Sequence, residues 1–344
     1  MNPETTAAPE PAAKIPAATG ELHSDALVCD LVLPWTDYGS RELREQTLPR
    51  LMASGVDFVS LTLASDAEFQ AELFNKIARE RRYVLGQPDR FLLVETADDI
   101  LAAKRDGKLA VSFNLQGTNA LAGNLDMVET LYKLGVRQTL MAYNKKNFVG
   151  DGCHERTDSG LSLFGVELVQ EMNRVGMIVD CSHTGYRTSM EVMEVSSEPV
   201  IFSHSNPRSL WEHDRNIRDD QAKACAKTGG LVGVVGVGIF MGDDDASTGT
   251  LLRQIDFYAE LIGTEHIALG LDYVYDVDDM RRYMAGVKSP AGGNYKNMTN
   301  FFQPEQLPEL TEAMISSGYS ERAVRGVLGE NFLRVARQVW RKAA

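Results

Sequence analysis

Two histidines, His183 and His204, each end a short apolar run of the sequence, MIVDCSH and PVIFSH. Two neutral imidazoles side by side are a frequent start of a divalent-metal site, although each could equally be a hydrogen-bonded histidine of the core. Asp272 ends a third run, HIALGLD. Its carboxylate could accept a proton from a metal-bound water, act as a third ligand, or cap the loop that follows.

Two further stretches carry groups suited to substrate binding. Arg215, in HDRNIRDD, could hold a carboxylate with two parallel hydrogen bonds or form an exposed ion pair with Asp214 or Asp219. Tyr143 and Asn144 end the run RQTLMAY and could polarise or orient a carbonyl, although a tyrosine at a strand end more often packs. Other polar residues of the predicted loops are expected to be solvated, namely Cys153, His154 and His213.

The elements that would position these residues are eight short runs rich in Val, Ile and Leu, with amphipathic stretches between them. The runs are residues 26–30, 56–63, 109–115, 137–143, 177–183, 199–204, 230–238 and 266–272. Nearly continuous apolar runs are typical of parallel strands that are covered on both faces. Eight strand–helix units predict an α/β fold, the (β/α)8 TIM barrel, whose active site lies at the C-terminal ends of the strands.

The residue at the end of each run is therefore where the sequence predicts chemistry. In chain order these ends are Asp30, Leu63, Gln116, Tyr143, His183, His204, Val237 and Asp272. Loops over the mouth of the barrel are predicted at 144–160, 212–220 and 273–297, and the third, long and Gly-rich, is typical of a lid. Helices are predicted at 161–176, 250–263, 305–316 and 320–341.

Composition excludes several classes of function. The 344 residues, 44% hydrophobic and 24% charged, are typical of a globular protein, and a net charge of -13 disfavours nucleic acid and anionic membranes as partners. Four cysteines without a CxxC pair predict free thiols and a cytoplasmic location. No apolar stretch is long enough to span a bilayer. The Ala/Pro-rich residues 1–22 are predicted to be a disordered tail, and residues 23–344 a single barrel domain.

The central stretch GLSLFGVELVQEMNRVGMIVDCSHTGYRTSMEVMEVSSEPVIFSHSNPRSLWEHDRNIRDD resembles the signature of the membrane dipeptidase (renal dipeptidase) family, peptidase family M19. The similarity continues in ALVCDLVLPW, LMAYNKKNFVGDGC, LGLDY and VRGVLGENFLRVARQVW, so that it covers about residues 25–341. The resemblance implies an amidohydrolase-type barrel, a two-zinc centre, hydrolysis of dipeptides and frequent homodimers.

Several functional residues of the family match this chain. The histidines of the second metal site match His183 and His204, and the arginine that binds the substrate carboxylate matches Arg215. The catalytic aspartate matches Asp272, and the family's histidine near the scissile carbonyl corresponds to Tyr143.

The first metal site is where the chain departs from the family. The His-x-Asp pair that should follow Asp30, in a motif like DGHNDLPW, is absent from DLVLPW, and Gln116 stands where the family has a bridging Glu. An amide lacks the negative charge that two neighbouring dications need. We therefore predict one zinc or other divalent ion rather than two, on His183 and His204 with Asp272 or the weak oxygen of Gln116. Nearby groups that could compensate are Asp30, Asp37 and Cys29.

The leading hypothesis is a metal-dependent hydrolase of an amide bond in a small substrate that carries a carboxylate. Asp272 would move the proton, Arg215 and Asn144 would bind substrate, and Tyr143 would donate to the developing oxyanion. One alternative is a lyase, isomerase or tailoring enzyme on the same barrel, because lost ligands can accompany a changed reaction. Another is a catalytically silent protein that binds a small acid through Arg215.

Overall fold

The computed structural model describes residues 17–35, 41–286 and 300–341. Eight parallel strands close a barrel in the order β1–β2–β4–β5–β6–β7–β8–β9, with β9 paired back to β1. The strands are β1 (Cys29–Pro34), β2 (Phe58–Ser65), β4 (Leu109–Gln116), β5 (Val136–Leu140), β6 (Ile178–Asp180), β7 (Val200–Phe202), β8 (Leu231–Val234) and β9 (Ile267–Leu269). Each predicted run overlaps one of them, so the predicted (β/α)8 barrel is confirmed. The sequence reading missed β3 (Phe91–Leu93), a three-residue strand on β4 outside the closed ring.

Helices surround the barrel. They are α1 (Ala17–Asp25), α2 (Arg41–Ala53), α3 (Gln70–Leu85), α4 (Ala97–Arg105), α5 (Asp126–Lys133), α6 (Leu163–Val175), α7 (Tyr186–Val195), α8 (Asp219–Lys227), α9 (Gly238–Met241), α10 (Thr248–Ile262), α11 (Val277–Gly286), α12 (Leu307–Ser316), α13 (Glu321–Arg325) and α14 (Asn331–Val339). Short 3-10 turns lie at Asn119–Leu121, Thr264–His266 and Pro304–Gln306, and a π-helical turn at Gly326–Glu330 joins α13 to α14. Among the helices of the described ranges, none has the length and apolar character needed to cross a membrane.

Three predicted boundaries differ from the structure. Helix α1 begins at Ala17, inside the predicted tail, because His23 of α1 packs against α12, with its Nδ1 2.8 Å from Thr311 Oγ1. Residues 1–16 lie outside the described residues. The predicted loop 273–297 contains α11, and its residues 287–299 are not described. Strand β1 runs on to Pro34, so that Asp30 lies near the start of the strand instead of at its end.

The N-terminal end of the barrel is closed by an apolar floor. Buried side chains from the strand starts form one cluster with α14 and the residue after it. The Phe58 ring of β2 lies 5.0 Å from the ring of Phe332 and 6.2 Å from that of Trp340, centroid to centroid. These side chains pack across the N-terminal end of the barrel.

Above the floor, the inward-facing residues of β2 and β4 are polar and form a hydrogen-bonded ladder. Ser112 Oγ donates to Ser60 Oγ at 3.1 Å, and Asn114 Nδ2 donates to the same oxygen at 3.0 Å. Thr62 Oγ1 donates to Asn114 Oδ1 at 2.9 Å, and Gln116 Nε2 donates to Thr62 Oγ1 at 3.2 Å. The ladder ends at Gln116, 5% exposed at the C-terminal end of β4.

The close approach of β7, β8 and β9 depends on glycine. A Cβ atom at Gly270 would overlap the carbonyl oxygen of Ser203 and would lie 3.3 Å from the Cβ of His204. Because both neighbours are held in the barrel, the clash cannot be relieved by a side-chain rotation.

We expect Gly270→Ala to lower the free energy of unfolding by about 2–3 kcal/mol, since overpacking forces the strands apart. Gly249→Ala is the matched control: it lies in α10, where an added Cβ meets nothing within 4 Å, and it should stabilise by about 0.5–1 kcal/mol. Urea unfolding of both variants checks this, and a Gly270→Ala protein as stable as the wild type would contradict it.

Candidate active site at the barrel mouth

Asp180, the last residue of β6, brings the two candidate histidines together. Its Oδ1 accepts hydrogen bonds from the backbone N–H of Ser182 at 2.9 Å and of Ser203 at 3.1 Å, which ties the turn after β6 to the end of β7. Ser182 Oγ accepts from the backbone N–H of His204 at 3.0 Å. In this turn His183 has a φ of 62°, in the left-handed region. Backbone strain of this kind is concentrated at functional sites.

The imidazoles of His183 and His204 meet directly, as the strand ends predict. Their Nε2 atoms are 2.9 Å apart. His183 Nδ1 lies 2.7 Å from Asn144 Oδ1, which can only accept, and His204 Nδ1 lies 2.7 Å from Ser203 Oγ. With both rings neutral, His183 therefore carries its proton on Nδ1, and its Nε2 accepts from the Nε2–H of His204. His204 Nδ1 then accepts from the Ser203 hydroxyl.

Burial keeps both rings neutral. Desolvation is the main reason why the pKa of His183 and of His204 lies well below its usual value, and the positive charge of Arg215 is the next. Both rings are therefore available as neutral nitrogen donors or acceptors at physiological pH.

Among the described residues, the buried Arg215 has no carboxylate within ion-pair distance. It is 2% exposed, and its Nη2 donates to the carbonyl of His204 at 3.2 Å. Its guanidinium lies 5.3 Å from the centre of the Phe240 ring. Within the described ranges no carboxylate forms an ion pair with Arg215, and its Nε has no hydrogen-bond partner. The exposed ion pair with Asp214 or Asp219, the alternative from the sequence, is therefore wrong. A buried guanidinium with open donors is suited to an anionic ligand.

Tyr143 and Asn144 lie against the histidine pair. The ring of Tyr143 stacks on that of His183, with centroids 4.2 Å apart and an angle of 28° between the planes. Asn144, with a φ of 64°, uses its Oδ1 to accept from His183 and, at 3.4 Å, from Cys153 Sγ. The structure thus gives Asn144 an orienting contact with His183, whereas substrate binding by Asn144 remains a prediction.

Two aspartates belong to the neighbouring strands β9 and β1: Asp272 follows the end of β9, and Asp30 lies near the start of β1. Burial raises the pKa of Asp272, with a φ of 53°, to about 6, and the charge of Arg215 opposes that rise. Asp30 is deeper: its Oδ1 accepts from the backbone N–H of Val32 and Leu271, while its Oδ2 has no partner among the described residues. Burial, with a smaller contribution from the charge of Asp272, raises the pKa of Asp30 to about 7.

A polar cavity of about 170 Å³ opens beside His183, lined by the loops after β5, β6 and β7. Cys153, Arg208 and Arg215 are among its walls. The expectation that His154 is solvated is wrong, since it is 6% exposed, and its Nδ1 lies 3.7 Å from Asp214 Oδ2.

From the sequence, Cys153, His154 and His213 could reach the mouth, but they are expected to be solvated. Apolar periodicity carries no information on how a loop folds back over a barrel, so the sequence offered no signal for burial of His154. His213 is half-buried, and its Nδ1 accepts from the backbone N–H of Arg215. All four cysteines, each within the described ranges, are free, as predicted.

The residues present fit a two-metal centre poorly. The first-strand positions after Asp30 are the apolar Leu31, Val32, Leu33 and Pro34, and the bridging position is the neutral Gln116. In the part of the chain that the structure describes, no group of three or more His, Cys, Asp or Glu side chains could hold an ion. Asp272 therefore does not complete such a group with the two histidines, contrary to one expectation from the sequence.

The residues that could compensate for the missing ligands do not complete a metal site either, within the part of the chain that the structure describes. Cys29 lies in the apolar floor, Asp30 accepts backbone donors on Oδ1 and keeps only Oδ2 open, and Asp37 lies outside the described residues. The histidine pair alone retains suitable geometry. Its Nε2 separation of 2.9 Å is close to the spacing of about 3.3 Å for two nitrogens on one tetrahedral Zn²⁺. The two rings are thus adjacent, as two ligands of one ion would have to be.

Solved structures define the class of the fold, an amidohydrolase-type (β/α)8 barrel. An amidohydrolase from Pseudomonas aeruginosa shares 34% sequence identity and superposes with a TM-score of 0.85, covering 94% of this chain and 99% of that chain. A metallopeptidase from Rhodobacter sphaeroides, solved with a phosphinate mimic of the dipeptide L-Ala-D-Ala, has a TM-score of 0.75 at 20% identity, over 92% of this chain and 100% of that chain. At that identity the second likeness concerns the fold alone.

The family model of the membrane dipeptidases (peptidase family M19) matches residues 17–344, and the chain belongs to this family. An uncharacterized dipeptidase of Schizosaccharomyces pombe is 31% identical over 271 residues, which are 76% of this chain and 60% of that relative. Dipeptidase verJ of Clonostachys rogersoniana is 31% identical over 252 residues, 72% of this chain and 60% of the relative. The chain thus spans about 60% of the length of these curated relatives.

The raised pKa of Asp30 predicts a pH-dependent stability. Its folded-state pKa of about 7 lies above the usual 3.8, so its contribution to stability is present at low pH and is lost as the pH rises through about 7. Asp30→Asn keeps the acceptor for Val32 and Leu271 without the charge. We expect its Tm, relative to the wild type, to be higher at about pH 8 than at about pH 5.

Asp98→Asn is the control for that comparison, because Asp98 is 79% exposed and pairs with Arg337 at the surface. Its Tm difference from the wild type should not rise with pH. Equal pH dependence of the Asp30→Asn and wild-type proteins would mean that Asp30 is not desolvated as described.

Proposed function

We propose that this member of the dipeptidase family hydrolyses an amide bond in a small substrate that carries a carboxylate. The observation that carries the proposal is the buried, unpaired guanidinium of Arg215 next to the His183–His204 pair. A substrate carboxylate would neutralise this charge and would satisfy its open donors. The names of the relatives, which are dipeptidases, support the same class of reaction.

Each side chain of the mouth has a role in this proposal. Arg215 binds the carboxylate and fixes the position of the neighbouring amide. Asp272, with a pKa of about 6, is largely ionised near neutral pH and accepts the proton of the attacking water, then returns it to the leaving amine. The hydroxyl of Tyr143 donates to the carbonyl oxygen as negative charge develops there.

A single divalent ion, zinc above all, belongs to the proposal as a cofactor. The Nε2 atoms of His183 and His204 would hold it, with Gln116 as a weak oxygen ligand. His204 would then carry its proton on Nδ1 and donate it to Ser203 Oγ, the reverse of the metal-free tautomer. When bound, the ion supplies Lewis-acid polarisation of the carbonyl and a more acidic water.

The composition also bears on where the protein works and what it binds. Free cysteines and a net charge of -13 favour the cytoplasm and small-molecule partners over nucleic acid or membranes. The family resemblance favours a homodimer.

A second candidate function is supported by the altered first metal site. Gln116 and the apolar residues after Asp30 leave less positive charge at the scissile bond than a two-metal centre provides. Loss of ligands that would activate water for hydrolysis is compatible with a changed reaction, such as that of a lyase or an isomerase on a small acid. A screen of dipeptides, including those with a D-residue or a dehydro-residue at the C-terminal position, separates the two: release of amino acids supports hydrolysis, and conversion without cleavage supports the alternative.

Removal of Arg215 tests the proposed carboxylate contact. We expect Arg215→Met to raise the KM for a cleaved dipeptide by about 100-fold, because a charge-assisted bidentate contact is lost. Arg174→Met, which removes a 60% exposed arginine of α6, should leave KM unchanged. An unchanged KM in Arg215→Met would place the carboxylate elsewhere.

Metal content tests the single-ion expectation. Protein produced with Zn²⁺ in the medium should carry one ion per chain, and His204→Ala should lose it. His266→Ala is the control. His266 lies on the 3-10 turn before β9, at the start of that strand and not at the mouth of the barrel, and its Nδ1 bonds to the carbonyl of Gly230. Two ions per chain would contradict the reading of Gln116, and full activity in a metal-free, chelator-treated protein would remove the ion from the proposal.

A further inference from the structure

Asp66, just beyond the end of β2, accepts hydrogen bonds from two segments of the mouth. Its Oδ1 accepts from the backbone N–H of Thr118 at 2.8 Å and of Asn119 at 2.9 Å, after β4. Its Oδ2 accepts from the backbone N–H of Tyr143 and from Asn147 Nδ2, both at 2.9 Å, after β5. One carboxylate thereby joins the ends of three neighbouring strands.

The backbone around Asp66 is shaped for this contact. Gly117 has a φ of 139°, and a Cβ atom there would overlap the Asp66 carboxylate. Asn147 also donates to the Met141 carbonyl at 2.8 Å and to Thr118 Oγ1 at 3.0 Å, so that its amide fills the space between the two segments. The carboxylate is thus enclosed by donors from both sides.

The contact with Tyr143 links Asp66 to the histidine pair. The backbone N–H of Tyr143 is held by Asp66, while its ring stacks on His183. Asn144 follows in left-handed backbone and accepts the Nδ1–H of His183. A shift of the Tyr143 backbone would therefore change both contacts of His183 at once.

We propose that Asp66 is a positioning residue, which holds Tyr143 and Asn144 against His183 and so fixes the orientation and the tautomer of that ring. As far as it concerns catalysis, this inference rests on the proposed function. The placement of His183 is a separate, structural claim that can be measured without a substrate.

Asp99 provides a matched carboxylate that has no contact with the site. Its Oδ2 accepts from the backbone N–H of Glu95 and Thr96 and from Thr96 Oγ1 at the start of α4, with distances of 2.7–3.1 Å. Asp99→Asn and Asp66→Asn both replace a negatively charged acceptor of several donors by a neutral amide, and in Asp66→Asn, where both oxygens accept, the NH2 also faces donors. Loss of stability is therefore expected in both variants, and only Asp66→Asn should alter the mouth.

The experiment compares these two variants by NMR of the imidazole N–H protons, with the His183 signal assigned from its absence in His183→Gln. The wild type and Asp99→Asn should show the same His183 Nδ1–H resonance. In Asp66→Asn it should shift or disappear through exchange with water. With a cleaved substrate in hand, kcat of Asp66→Asn should fall by about 10- to 100-fold with KM within about twofold, because the reacting groups are misplaced.

An Asp66→Asn protein that loses stability as Asp99→Asn does, and keeps both the resonance and kcat, would overturn the inference. If Asp66→Asn does not fold, Asn147→Ala replaces it, removing one donor to Oδ2, and an unchanged resonance there would equally overturn it. If no substrate is cleaved by the wild type, the proposed function fails, while the NMR comparison still decides the role of Asp66.

Discussion

The buried positive charge of Arg215 acts on the imidazoles and on the Asp272 carboxylate at the mouth of the barrel. It follows burial as the second cause of the lowered pKa of His154, His183, His204 and His213. The same charge opposes the rise in the pKa of Asp272. The site therefore combines neutral imidazoles, an ionisable carboxylate and one fixed cation. Such a combination favours ligands that bring their own negative charge.

The polar interior below this site, on β2 and β4, consists of uncharged side chains. Side-chain hydroxyls and amides on β2 and β4 satisfy one another from Ser60 up to Gln116, so that none of these rungs needs a formal charge. A carboxylate at the top rung would need a cation or a proton partner in the same space. Gln116, where the family resemblance implies a bridging Glu, is consistent with this network.

The sequence was most informative where chemistry follows directly from strand order. His183 and His204 could be placed side by side because consecutive parallel strands end at the same face, and the resemblance to the family identified Arg215. Asp30 was placed at the wrong end of β1, since an apolar run does not mark where a strand stops. The hydrogen bonds from Asp66 to the segments after β4 and β5 could not be predicted, and neither could the burial of His154, because both depend on how separate loops fold onto each other. The inward polar face of β2 and β4 had a signal: small polar residues at alternate positions.

The apolar floor can form only late in the synthesis of the chain. Phe58 lies in the second strand of the barrel, whereas its ring partners Phe332 and Trp340 are made only after all eight strands. Until α14 is made, the apolar strand starts of a ribosome-bound chain are therefore open to water and to other nascent chains. Chaperone dependence during translation would follow from that delay, and a premature stop before Phe332 would leave eight strands without a base.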